Sequence, residues 1–158
     1  MWSLIILSHI LMFVSFLMLS ISIFYGHFQE STTGSLILNN FSIYAVIIYV
    51  LTQTLILFLV IAINKQIKQL ILDQSFSLDA TSYSKSKSKM YIHTYSNVLF
   101  IGTLAILFAA VHTELISQTI HSLFFILSII HYGYTILLQY DIFKEISKLI
   151  VRINSLSS

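Results

Sequence analysis

The chain has no cysteine, no proline, only four glycines, and few charges for its 158 residues: eight Lys or Arg and six Asp or Glu. Without cysteine there is no disulfide, no thiolate metal site and no cysteine nucleophile. Without proline no helix carries a proline kink. Charged residues make up 9% of the chain, against about 25% in an ordinary soluble domain, so its apolar surface cannot be held in water. The net charge of +2 is small, and no basic patch interleaved with aromatics occurs, which excludes nucleic acid as a partner. No GxGxxG, P-loop, HExxH or GxSxG pattern is present. Seven of the eight basic residues are Lys, with Arg152 the exception, a bias that resembles translation from an AT-rich genome.

What is abundant is apolar sequence: 57% hydrophobic residues, with 12 Phe and 9 Tyr, at a mean hydropathy of +0.89. Four runs stand out, at about residues 2–25, 41–64, 92–111 and 120–140. Each is close to the roughly 20 residues that cross about 30 Å of hydrocarbon at 1.5 Å per residue. Each must be helical, because lipid offers no partner to an unpaired backbone amide. The first run lacks a basic n-region and is longer than the apolar part of a signal peptide, so it reads as a mature span. The fold expected is all-α, a single integral membrane four-helix bundle.

Basic residues set the expected orientation. Lys65, Lys68, Lys85, Lys87 and Lys89 lie between runs two and three, and Lys144, Lys148 and Arg152 follow run four. The other two connections contain no Lys or Arg. By the positive-inside rule both termini face the cytoplasmic or matrix side, in a prokaryotic cell membrane or an organelle inner membrane. Within the long inner connection, Lys65–Leu72 has helical spacing and extends run two. Residues 73–89, DQSFSLDATSYSKSKSK, read as an exposed, flexible Lys/Ser-rich linker. Residues 141–154 read as an amphipathic surface helix continuing run four, with Ile142, Phe143, Ile146, Leu149 and Ile150 at helical spacing.

Topology then assigns depths to polar residues. His9 falls about 10–12 Å in, His131 about 16 Å and Gln53 about 18 Å, near one level. Two histidines on different helices at one depth are the requirement for bis-histidine ligation, so His9 and His131, with Gln53, form a candidate midplane site for b-type haem or a quinone. The structural alternative is a set of neutral histidines bonded to neighbouring polar groups. On run four, His121, Ser128, His131, Thr135 and Gln139 share a face that should point into the bundle. Ser8, Ser15 and Ser22 repeat every seven residues as a packing seam. At the outer surface His112, His121 and His27, with Glu114 or Glu30, supply donors for zinc or copper. The structural alternative is a wet interfacial cluster of polar side chains. His93 stands alone on the inner side.

The run QTIHSLFFILSII, Gln118–Ile130, resembles the turn between early helices of the sixth membrane subunit of respiratory NADH dehydrogenase. The resemblance covers about a dozen residues, has Thr119 near the place of that family's proline, and carries over no residue role. No Asp, Glu, Lys or Arg lies within a run, which disfavours a small channel or carrier built on a buried ionisable path. No buried carboxylate is available to orient a histidine against a serine. The function expected is a small non-catalytic membrane subunit of a larger, energy-transducing or redox complex, in contact with the lipid bilayer and other membrane subunits. The second reading is a redox protein holding haem or quinone between His9 and His131.

Overall fold

The computed structural model describes residues 2–28, 35–74, 80–112 and 115–156, with side-chain detail for 3–23, 41–66, 69, 84–107, 111 and 115–151. Four α-helices account for nearly all of it: α1 (Trp2–Phe28), α2 (Ser35–Gln74), α3 (Ala80–His112) and α4 (Gln118–Leu156). All four are long and apolar enough to span a membrane, over Ser3–Ile23, Phe41–Gln66, Ser84–Leu107 and Gln118–Val151. They form a four-helix bundle of multi-pass membrane type.

Neighbouring helices run antiparallel. Ser22 of α1 bonds Ser42 of α2, while Ile5 packs in one cluster with Leu59 and Ile63. Tyr49 of α2 meets Asn97 of α3, and Asn64 meets Lys87. His121 of α4 meets Leu104 of α3, and His131 meets His93. Ser15 of α1 reaches Tyr132, while His9 packs against Tyr140 and Phe143. The first turns of α1 and the late turns of α4 therefore share one end of the bundle.

The distribution of polarity is inverted relative to a water-soluble bundle. Outward faces carry large apolar side chains, such as Leu99 at 73% exposure and Ile106 at 78%, while Gln53 and Gln139 are 1% exposed. Lipid accepts the first arrangement, and hydrogen bonding inside the bundle satisfies the second. The interior is layered. One apolar cluster (Ile5, Met12, Ile56, Leu59, Val60, Ile63, Met90, Ile142, Phe143, Ile146) fills the end that holds the start of α1. A second (Leu19, Ala45, Tyr49, Ile101, Leu104, Phe125, Ile129, Tyr132) lies toward the opposite end. Polar side chains occupy the layer between them.

Two segments differ from the sequence reading. Residues 80–89 are helical instead of a flexible linker: α3 begins at Ala80, and Ser84, Lys85, Ser88 and Lys89 are exposed on it. Ala, Ser and Lys contain no helix breaker, and extending a helix already nucleated by an apolar span costs little per residue. Residues 75–79 lie outside the described residues. The segment after Tyr140 does continue α4, but Ile142, Phe143 and Ile146 are fully buried in the first apolar cluster, so this stretch closes the bundle interior instead of lying along a surface. The apolar faces of α1 and α2 extend to that level and need a fourth helix to cover them.

Candidate functional site: a polar belt across the bundle

The layer between the apolar clusters is a hydrogen-bonded belt that joins all four helices. The Tyr132 hydroxyl of α4 lies 2.7 Å from Ser15 Oγ of α1 and accepts from Gln53 Nε2 of α2 at 3.0 Å. Gln139 Nε2, two turns further along α4, donates to Gln53 Oε1 at 2.6 Å and to Thr94 Oγ1 of α3 at 3.0 Å. These residues project inward because Ser8, Ser15 and Ser22 on α1, and Ser128, Tyr132, Thr135 and Gln139 on α4, fall on the core-facing side of their helices at three-, four- and seven-residue spacing. Ser8, Thr52, Ser128 and Thr135 return their hydroxyls to a carbonyl one turn back, which satisfies them without a partner helix.

A second branch starts beside the first, where the rings of Tyr49 and Tyr132 meet edge to face at 4.8 Å. Tyr49 donates its hydroxyl to Asn97 Oδ1 at 2.5 Å. Asn97 Nδ2 donates to the Ser128 carbonyl at 3.0 Å and lies 3.2 Å from His131 Nδ1. A carbonyl can only accept, so the Ser128 contact fixes the Asn97 amide with its NH2 toward α4. His131 Nδ1 is then the acceptor, its proton sits on Nε2, and Nε2 donates to His93 Nδ1 at 3.1 Å. His93 in turn carries its proton on Nε2. The chain Tyr49, Asn97, His131, His93 runs in one direction, from the bundle interior to the groove between α3 and α4.

The structure separates the residues of the midplane pair. His9 donates Nδ1–H to the Ile5 carbonyl at 2.7 Å and packs against Tyr140 and Phe143. His131 faces His93 and Asn97. Along α4, Tyr140 and Phe143 lie nine and twelve residues beyond His131, about 14 and 18 Å at 1.5 Å per residue. Gln53 bonds Tyr132 and Gln139 and touches neither histidine through a hydrogen bond. With its Nδ1 accepting and its Nε2 donating, His131 offers iron no lone pair. His9 Nε2 and Gln139 Oε1 are the buried side-chain atoms without a hydrogen-bond partner among the described residues.

Of the outer-surface donors, His121 alone has a described side chain. It is 9% exposed, and its Nε2 donates to the Leu104 carbonyl of α3 at 2.9 Å. Helix α4 begins at Gln118, so His121 sits one turn inside, tying α4 to α3 instead of facing a wet surface. The side chains of His27 and His112, and residues Glu30 and Glu114, lie outside the described residues. Among the described residues no three His, Asp or Glu side chains gather closely enough to hold a metal ion.

Sequence reasoning missed Tyr49, Thr94, Asn97 and Tyr132, and it placed His93 alone. The available signal was period: Met90, Thr94, Asn97, Ile101 and Leu104 recur at four, three, four and three residues, one helix face that is now seen to be buried. Fold and site together define a four-span helical bundle of membrane type whose interior polar groups bind one another. Compared with known protein families, curated proteins and solved structures, the chain matches none of them.

Proposed function

We propose that the protein is a small, non-catalytic integral membrane subunit of a larger membrane complex. The polar belt is the observation that carries this reading. Ser15, Gln53, Thr94, Tyr132 and Gln139 bond to one another across four helices, an arrangement that fixes helix register and rotation. Such a belt supports a scaffold. Its members are amides, hydroxyls and a phenol, and no carboxylate, ammonium or nucleophile–base pair joins them among the described residues. The apolar outer faces of all four helices remain available to lipid and to other membrane helices.

The test is native electrophoresis of membranes solubilised in mild detergent, followed by mass spectrometry of the band containing this chain. The expected result is migration with other membrane proteins, far above its own 18.1 kDa. A monodisperse monomer that carries out a reaction or transport step unaided would overturn the proposal.

A further inference from the structure

On three helices the charge-free stretch ends at the same end of the bundle. The first charge reached is Lys65 on α2, Lys89 on α3 and Asp141 on α4, and the Lys87–Asn64 hydrogen bond at 3.3 Å ties the levels of α2 and α3 together. From Lys89 to His112, the end of α3, the helix rises about 35 Å, slightly more than a hydrocarbon core of about 30 Å. Lys89 therefore stands at the membrane rim.

Below it the groove between α3 and α4 collects hydrogen-bond donors. Lys89 Nζ lies 5.4 Å from the centre of the Tyr134 ring. The His93 ring, one turn deeper on α3, meets the same Tyr134 edge to face at 5.1 Å. The one-way chain from Tyr49 leaves His93 with its proton on Nε2, and that nitrogen is neither enclosed nor hydrogen-bonded among the described residues. Tyr134 is 39% exposed. An ammonium and an imidazole with an unengaged N–H thus both lie against one exposed tyrosine ring, and Lys85 stands one turn further out on the Lys89 side of α3. The carboxylates that follow on α4 are set back. Asp141 and Glu145 lie seven and eleven residues beyond Tyr134, about 10 and 16 Å along the helix, and Glu145 is paired with Lys148 at 2.8 Å.

A lysine ammonium and an imidazole N–H beside a phenol at a membrane rim match an anionic oxygen cluster held at that depth. We propose that Lys89, His93 and Tyr134 bind the phosphate of an anionic phospholipid in the groove between α3 and α4. The lipid's acyl chains would then lie along the outward apolar side chains of these helices, including Leu99, Phe100 and Leu127. The proposal rests on the membrane-spanning reading and is independent of partner subunits.

The test is native mass spectrometry of the detergent-purified chain given equal amounts of phosphatidylglycerol and phosphatidylcholine, counting retained lipids. Phosphatidylglycerol should be retained in preference, and Lys89→Gln should reduce that preference about fivefold, the effect of one basic residue near an anionic surface. His93→Phe should lower it as well, and Tyr134→Phe less. Lys148→Gln, at the same end but outside the groove, should leave it unchanged. Lys89 and Tyr134 are exposed, so their variants keep the test valid if His93→Phe fails to fold. Equal retention of the two lipids, an equal loss in Lys148→Gln and Lys89→Gln, or full displacement of phosphatidylglycerol by matched inorganic phosphate would each overturn the proposal.

Discussion

Asn97 is where the polar interior is most tightly shared. Its one amide engages Tyr49 of α2 and both Ser128 and His131 of α4. Replacing it with alanine strands the buried Tyr49 hydroxyl and opens a gap between three helices. Tyr132→Phe removes one hydroxyl from between Ser15 and Gln53: Ser15 keeps its bond to the Met12 carbonyl at 3.0 Å, while the buried Gln53 Nε2 loses its acceptor. Interhelical hydrogen bonds in membranes average about 0.6 kcal/mol, and a buried unsatisfied group costs about 1–3 kcal/mol. Asn97→Ala, which strands both the Tyr49 hydroxyl and His131 Nδ1 and opens a gap, should therefore destabilise the bundle by about 2–3 kcal/mol, and Tyr132→Phe, which strands one group and opens none, by about 1–2 kcal/mol. Unfolding of both variants in mixed micelles, followed by circular dichroism, checks this. If Tyr132→Phe proves the more damaging, the belt is not organised around Asn97. Counting residues from span ends found that Gln53 and the α4 stripe are internal, because periodicity reports the face. It misplaced His9 relative to His131 because it assumed that every span ends where its apolar run ends. Helix α4 stays in the bundle through Ile146, so the level of His9 on α4 is Tyr140–Phe143. Tyr49 and Tyr132 escaped notice because a tyrosine in a membrane span reads first as an interfacial anchor.

At the scale of the helix, the four elements could be read from apolar runs alone, since no soluble fold needs four stretches of this length without charge. The start of α3 could not. Residues 80–89 carry no apolar periodicity, and their helicity comes from continuity with the span and from ties such as Lys87 to Asn64 and Lys89 to Tyr134. Which face of α3 meets lipid was also hidden, because Leu99, Ile101, Leu104 and Ile106 are all apolar yet only Ile101 and Leu104 are buried. Leu99 lies ten residues from Lys89, about 15 Å below the rim and so near mid-membrane. An arginine there should cost about 2.5–3.5 kcal/mol of insertion free energy without removing a core contact, whereas Leu99→Ala should insert normally. Comparing the two in a translocon insertion assay, with each α3 presented as a single span, separates them. Equal insertion would mean that position 99 does not lie near mid-membrane.

For the whole molecule, charge and architecture make one joint statement. Lys65 and Lys68 sit on α2, Lys85, Lys87 and Lys89 on α3, and Lys144, Lys148 and Arg152 on α4, all toward the end of the bundle where α1 begins. An even number of antiparallel helices returns the chain to the side from which it started, so one orientation of the bundle places every basic residue on the same side of a membrane. Retention of Lys and Arg on the inner side favours that orientation. The absence of cysteine makes this directly measurable, because any introduced thiol is the sole target. Ser88 and Ser117 are both exposed and lie at opposite ends, one beside Lys89 and the other immediately before α4. In intact cells or organelles a membrane-impermeant maleimide should label Ser117→Cys and leave Ser88→Cys untouched, and permeabilisation should expose Ser88→Cys as well. The opposite pattern would invert the orientation, and labelling of both sites in sealed membranes would mean that the four helices do not cross the bilayer as a bundle.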